Sequence, residues 1–306
     1  MTGAAAQASV VISTFEEGDR LAETVDSVLA ASVVPQEIVI VDDGSTDAGC
    51  DRVWPSAVHV VHQDHLGIAP ARNHGALVAT QPALVFLDAH CTVQRDWLRP
   101  LLGALDHAPD ALVGPAVRDE REPRYVGCGA ELVDALFTYR WLPVTGAGLV
   151  EVGLVPGGCM AVQRDLFLHA GGFAPFSGFG VEDVELALRW WRAGRPLLGT
   201  PESVITHRFR ANPGYRPDHQ AWLQNVLRTA LVHLVSDDLR ACVLACAPLS
   251  SFASAMATVL AEPWIATYQR VLHAEARTVA DYIDRWAPRA FGRKARNRSE
   301  PVTGHP

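Results

Sequence analysis

The chain has 306 residues, 49% of them hydrophobic and 20% charged, with a formal net charge of −8 and a sequence pI near 5.8. That balance fits one large or two modest domains with a proper core and argues against disorder. It also argues against a nucleic-acid partner, which needs a basic face.

Lys294 is the sole lysine, so almost all positive charge is arginine. This reads as a GC-rich coding sequence, and a bacterial source is expected. Arginine also suits phosphate, because its planar fork binds oxyanions in pairs. Cys50, Cys91, Cys128, Cys159, Cys242 and Cys246 form no Cys-x-x-Cys pair. Reduced thiols are therefore expected rather than a zinc knuckle. The first residues lack a charged-then-apolar leader, and the expected location is cytoplasmic.

In chain order, residues 8–14 read as a buried strand. Leu21, Val25, Val28 and Leu29 then mark one face of a helix over 23–31. Residues 37–41, 58–62 and 83–87 are further strands. Residues 69–80, with Pro70 in the first turn, and 96–106 are helices. This alternation predicts βαβ units in a Rossmann-like α/β fold: a mixed, mainly parallel sheet with helices on both faces. The pattern loosens over 111–155. A Gly-rich stretch at 156–160 follows, then a helix over 164–170, a loop over 173–180 and a strong helix over 182–193 stopped by Gly194.

Beyond His207 the chain reads as largely helical to about Trp286, and 289–306 reads as a disordered tail. The simplest partition is a catalytic domain over 1–235, a helical extension over 236–288 and the tail. The uncharged window 241–261 is long enough to span a bilayer. Its Pro248, Ser250, Ser251, Ser254 and Thr258 favour a packed helix or helix pair, with membrane contact the lesser alternative.

Four clusters carry chemistry. The ends of the first two strands, Thr14-Phe15-Glu16 and Asp42-Asp43-Gly44-Ser45, should lie side by side at one sheet edge. A carboxylate there can accept from a base N–H or a ribose hydroxyl, and Phe15 can stack on a base. Asp-Gly-Ser is equally good turn chemistry, and Ser45-Thr46-Asp47 can cap a following helix. Arg72 and Asn73 sit near a helix start, where an Arg can reach a diphosphate.

The apolar run Leu84-Val85-Phe86-Leu87 ends in Asp88-Ala89-His90. Residues two apart on a strand share a side, so both side chains can face one divalent cation such as Mn²⁺. Ligands sit at this edge of open α/β sheets. His207, after a further apolar run, is the candidate third ligand. Glu182 and Asp183 fall at a helix N-terminus, where the macrodipole favours anions. One of them can serve as the base toward an acceptor hydroxyl. Glu185 and Arg189 read as a structural i,i+4 pair.

The ordered set Ser-Thr-Phe, Val-Asp-Asp-Gly-Ser-Thr-Asp, Gly-Ile-Ala-Pro-Ala-Arg-Asn-His-Gly-Ala, Phe-Leu-Asp-Ala-His and Gly-Val-Glu-Asp-Val-Glu-Leu resembles the family 2 glycosyltransferases, over roughly 8–210. The resemblance implies a GT-A fold, a nucleotide-diphosphate sugar donor and Mn²⁺ or Mg²⁺. It implies nucleotide contacts at Thr14, Glu16, Asp43 and Arg72, a donor-sugar loop at Gly157-Gly158, a metal acid at Asp88 and a base at Asp183. Where that family usually has Asp-x-Asp, this chain has Asp88-Ala89-His90. That variant, with Cys91, Trp97-Leu98 and His207-Arg208-Phe209-Arg210, is similar to the polypeptide N-acetylgalactosaminyltransferases, which retain anomeric configuration.

The expected function is transfer of a sugar, from a UDP-sugar by family expectation, to an acceptor the sequence does not name. Inversion is expected because Asp183 is present. The alternatives are a retaining N-acetylgalactosaminyltransferase-like enzyme and a non-catalytic nucleotide-sugar binder. A nucleotidyltransferase fits poorly, because its phosphate loop would need an N-terminal lysine.

Overall fold

The computed structural model describes residues 6–209, 218–272 and 276–293. In chain order it contains β1 (Ala6–Thr14), α1 (Asp19–Leu29), β2 (Pro35–Asp42), β3 (Val58–His62), α2 (Ile68–Val78), β4 (Ala83–Leu87), β5 (Cys91–Val93) and α3 (Leu98–His107). Four short strands follow: β6 (Leu112–Asp119), β7 (Val126–Leu132), β8 (Tyr139–Pro143) and β9 (Val150–Glu151). Then come β10 (Cys159–Gln163), α4 (Arg164–His169), α5 (Glu182–Arg192) and β11 (Leu197–His207). The helices α6 (His219–His233), α7 (Ser236–Cys246), α8 (Phe252–Leu260), α9 (Pro263–Leu272) and α10 (Val279–Trp286) complete the series.

The strands form one mixed sheet in the order β3-β2-β1-β4-β10-β6-β11-β5, with β7 attached to β6, β8 to β7 and β9 to β11. β3, β2, β1 and β4 run parallel. β10 is antiparallel to β4 and β6. Its Cys159 lies opposite Leu87, which sets the Gly157-Gly158 turn against the end of β4.

Period-two alternation divides the core between two faces. Val10 and Ile12 of β1 face the layer holding α1 and α3, where Leu21, Val25, Leu98 and Leu101 are buried. Val11 faces the opposite layer with α2, α5 and the C-terminal helices, and that core continues through Leu227, Val259 and Trp286. Trp190 of α5 is fully buried and donates from Nε1 to the Asp110 carbonyl at 2.8 Å.

Three expectations are corrected. No helix follows Ser45-Thr46-Asp47: among the described residues, the segment from Asp43 to β3 is turns and bends. Gly49 and Pro55 interrupt it, and it lacks a 3.6-residue apolar period. The loosened stretch holds β6–β9, of which β6 and β7 are largely buried and β8 and β9 are half-buried or exposed. The tail begins as a 3₁₀ turn, Pro288–Phe291, after which Arg293 pairs with Asp238 and Asp284. Residues 294–306, the rest of that tail, lie outside the described residues, as does Arg210. The window 241–261 folds as the end of α7, a turn at Pro248, and α8. Among the described residues no helix is long and apolar enough to cross a membrane.

Candidate functional site

Strand register assembles the cluster. β4 ends at Leu87, and the Asp88 N–H donates to the Gly158 carbonyl at 3.0 Å. His207, the last residue of β11, lies opposite Cys91 of β5. Asp88, His90 and His207 therefore meet at one edge, with ligand-capable atoms all within 4.8 Å of one another. His207 Nε2 is 3.5 Å from Asp88 Oδ2, and the two imidazoles stand edge to face at 4.7 Å.

The donor set fits a cation. His90 Nδ1 is 2.9 Å from Glu17 Oε1. A carboxylate accepts from a ring N–H at Nδ1, an arrangement in which Nε2 is the nitrogen that would coordinate a metal. A Cβ on Gly158 would come within 3.1 Å of His207 Cδ2 and 3.6 Å of Asp88 Oδ2. The bare glycine leaves that space open. Sequence reading missed Glu17; its only signal is the tandem Glu16-Glu17 at the end of β1.

Arg72 closes the cluster from beneath. It is buried near the start of α2. Nη2 donates to Asp88 Oδ1 at 2.8 Å and to the Gly157 carbonyl at 2.7 Å, and Nη1 donates to Glu182 Oε1 at 3.0 Å. Burial works against the ionised form of Asp88. The Arg72 charge, with His207 and His90, outweighs it and holds that carboxyl well below its usual range. Arg72 thus reaches two carboxylates and the Gly157-Gly158 turn through fixed bonds.

Glu182 and Asp183 open α5. Glu182 Oε2 accepts from the Gly180 N–H at 3.0 Å. Asp183 Oδ2 accepts from the Gly157 N–H at 2.9 Å, and Oδ1 from the Val184 N–H at 2.8 Å. Burial, then repulsion from Asp183, lifts Glu182 to about 7. Burial lifts Asp183 too, against the bonds from Gly157 and Val184. Asp88, His90, His207, Arg72, Gly157, Gly158, Glu182 and Asp183 form one bonded or near-contact set.

The residues at the ends of β1 and β2 hold loops to one another. The Thr14 carbonyl accepts from the Asp43 N–H at 3.0 Å. Phe15 stacks on His65, ring centroids 3.9 Å apart. Glu16, with φ of 54°, accepts from the Thr46 N–H and hydroxyl at 2.8 and 2.9 Å. Asp42 accepts from the Ser45 N–H and pairs with His62 at 2.9 Å. Asp43 accepts from Gln63 at 2.7 Å and from the N–H groups of Leu66 and Gly67 at 3.0 and 2.8 Å, and its Oδ2 lies 2.9 Å from His65 Nδ1. Gly67 in turn bridges Gly178, which joins this edge to the loop before α5.

A row of aromatic rings, unforeseen from the sequence, leads away from the cluster. His207 lies 4.1 Å from Phe209, Phe209 6.4 Å from Trp141, and Trp141 6.3 Å from Tyr139. Tyr139-Arg140-Trp141 belongs to β8, inside the stretch whose periodicity is weak.

Comparison with known proteins agrees with this geometry. Residues 9–145 match the family described as glycosyl transferase family 2. Mouse polypeptide N-acetylgalactosaminyltransferase 16 is 31% identical over 252 residues, covering 74% of this chain and 45% of the mouse protein. Polypeptide N-acetylgalactosaminyltransferase 11 of Xenopus tropicalis is 29% identical over 264 residues, covering 76% of this chain and 43% of the frog protein. The chain thus spans about two fifths of the length of these curated relatives. Both are animal proteins and lend no support to a bacterial source. The crystal structure of GalNAc-T7 with UDP, GalNAc and Mn²⁺ superposes with a TM-score of 0.75 at 22% identity, covering 92% of this chain and 56% of that one. Motif order, sheet topology and these matches converge: the chain carries a glycosyl transferase family 2 domain in the GT-A fold.

Proposed function

We propose that this chain transfers a sugar from a UDP-sugar to an acceptor hydroxyl, with a divalent cation held by Asp88, His90 and His207. The convergence of those three side chains at the sheet edge carries the reading. A carboxylate with two imidazoles suits Mn²⁺ better than Mg²⁺, which prefers oxygen. A bound cation supplies positive charge for the departing diphosphate.

This chain's own groups do the rest. Arg72 fixes Asp88 and the Gly157 carbonyl and so orients the donor loop. Glu182, raised to about 7 by burial and then by Asp183, and Asp183, raised by burial, both hold their protons to higher pH than ordinary carboxyls. Asp183 takes the acceptor proton as the hydroxyl attacks, which gives inversion. Retention is the second reading. Both Asp183 oxygens are bonded to backbone N–H groups, and the metal trio resembles that of the retaining polypeptide enzymes. The acceptor we propose is a serine or threonine hydroxyl of a peptide, with the row Phe209, Trp141 and Tyr139 as the surface for its apolar side chains.

Incubation with UDP-N-acetylgalactosamine, other UDP-sugars and a Ser/Thr peptide library, with Mn²⁺, tests the reading. UDP release and glycopeptide are expected, and both should vanish with EDTA or in Asp88→Asn. No UDP release from any donor would overturn it. The anomeric proton coupling of the product decides inversion against retention.

A further inference from the structure

The C-terminal helices reach the site through one buried amide. Asn225, on α6, is 1% exposed. Its Nδ2 donates to the carbonyls of Ser177 at 2.9 Å and Gly180 at 3.2 Å. Its Oδ1 accepts from Arg228 Nη1 at 2.7 Å. With a guanidinium on the oxygen, only the NH₂ end can face the loop, so Arg228 sets the orientation of the amide. Arg228 is held by Glu262, between α8 and α9, through Nη2–Oε1 at 2.6 Å and Nε–Oε2 at 3.0 Å. Glu262 also accepts from Trp264 Nε1 at 2.9 Å.

The other end of this chain of bonds is Glu182. The Gly180 carbonyl takes the Asn225 bond, while the Gly180 N–H donates to Glu182, which meets Arg72 and, through it, Asp88. The backbone between needs outside support. Gly178, Gly180 and Val181 have φ of 67°, 104° and 71°. A β-branched residue in the left-handed region persists only where its surroundings impose it.

We propose that Asn225, oriented by Arg228 and Glu262, is a positioning residue: it fixes the loop over 177–181 and, through Gly180, the carboxylate of Glu182. The C-terminal helices are then part of the catalytic unit, not a separate packing layer. This rests on the reading of Glu182 and Asp183 as the reacting carboxylates.

Asn225→Ala and Arg228→Met in the full chain test it. Amide hydrogen exchange over 177–183 is expected to quicken about tenfold or more, since two carbonyls of the loop lose their donor. kcat should fall by about ten- to a hundredfold, as for a displaced reacting group, with the donor KM and Mn²⁺ binding changed less than twofold. In a Glu182→Gln background Asn225→Ala should cost less than threefold, because the residue through which it acts is already altered. Unchanged loop exchange, or the same fold loss in both backgrounds, overturns the proposal. If the wild type transfers no sugar, the functional reading fails, and hydrogen exchange still decides whether Asn225 sets the loop. Should Asn225→Ala not fold, Glu262→Gln is expected to show the same pattern in weaker form, and wild-type exchange in it would refute the relay.

Discussion

Arg72 joins Asp88 to Glu182, two carboxylates 94 residues apart in sequence, with bonds of 2.8 and 3.0 Å. One guanidinium thereby couples Asp88, at the end of β4, to the acidic start of α5. Replacing it leaves buried carboxylates without a counter-charge, which costs far more than the pair contributes. Arg72→Met is expected to lower unfolding stability by about 3–5 kcal/mol. Mn²⁺ should restore part of the loss by taking over the charge beside Asp88. Urea melts with and without Mn²⁺ measure both effects; a loss under about 1 kcal/mol would contradict the coupling.

Glu17 fixes the ring of His90 as the hydrogen-bond partner of its Nδ1. Carboxylates behind metal-bound imidazoles typically govern affinity by about 10–100-fold. Glu17→Ala is expected to weaken Mn²⁺ binding by about that factor, and Glu17→Gln, which keeps an acceptor, by less. Titration followed by the paramagnetic signal of free Mn²⁺ reads this without any turnover. Equal binding by all three proteins would exclude an orienting role.

The carboxylate pair sets a pH dependence. Glu182 is raised to about 7 by burial and the neighbouring Asp183, and Asp183 is raised by burial. Both need a higher pH to ionise, so the pair is too protonated to accept a proton at low pH. kcat/KM is expected to rise as pH increases through about 7. Glu182→Gln removes the like charge and should move that rise to lower pH. A flat profile from acid to mildly alkaline pH would remove the pair from the chemistry.

What the sequence could reveal depended on whether a signal was local. β4 stands where its Leu- and Val-rich run predicts, because a strand buried on both faces reads as continuous hydrophobicity, and the edge strand β3 stands where Val58, Val60 and Val61 predict. Asp88 and His90 were legible because two polar, metal-competent groups end such a run. The bonds that organise the site were not. Arg72 to Glu182 and Asn225 to Gly180 join residues far apart in sequence, and no period or spacing encodes them. β10 hid behind Gly157-Gly158, whose glycines read as a loop, although Cys159 begins a strand immediately after them. Asp43 had the residue type of a ligand contact, yet four groups of its own chain surround it. Residue type alone cannot separate the two uses.

Glu185 gives a second, purely structural pH effect. Burial alone would raise its carboxyl. The Arg189 charge, with the bonds from His233 and Arg189, instead holds it at about 2 against an ordinary 4.5. A depressed carboxyl stabilises the fold above its unfolded pKa and loses that contribution as pH falls through the folded value. At pH 7 Glu185→Gln is expected to be about 3–5 kcal/mol less stable than wild type, because Arg189 keeps its buried charge. The gap should narrow as pH falls from 4.5 toward 2. A constant gap in denaturant melts over that range would mean that Glu185 does not titrate with folding.

Gly75 tests the packing that brings α2, and with it Arg72, onto the sheet. A Cβ there would lie 2.3 Å from Val11 Cγ1 and 3.0 Å from Val41 Cγ2, so the helix approaches β1 and β2 as only glycine allows. Two effects of Gly75→Ala oppose each other. Alanine favours the helix by about 1 kcal/mol, while forcing a methyl into a filled core costs about 1–3 kcal/mol. At 2.3 Å the contact is far inside van der Waals range, and Val11 is itself fully buried, so overpacking wins. Gly75→Ala is expected to be destabilised by about 1–2 kcal/mol and to weaken Mn²⁺ binding as Arg72 shifts against Asp88. In a Val11→Ala background, where the opposing methyl is gone, the same substitution should be neutral or stabilising. A Gly75→Ala chain that melts above wild type would show that α2 has room to lift, and the close approach would then not be what fixes Arg72.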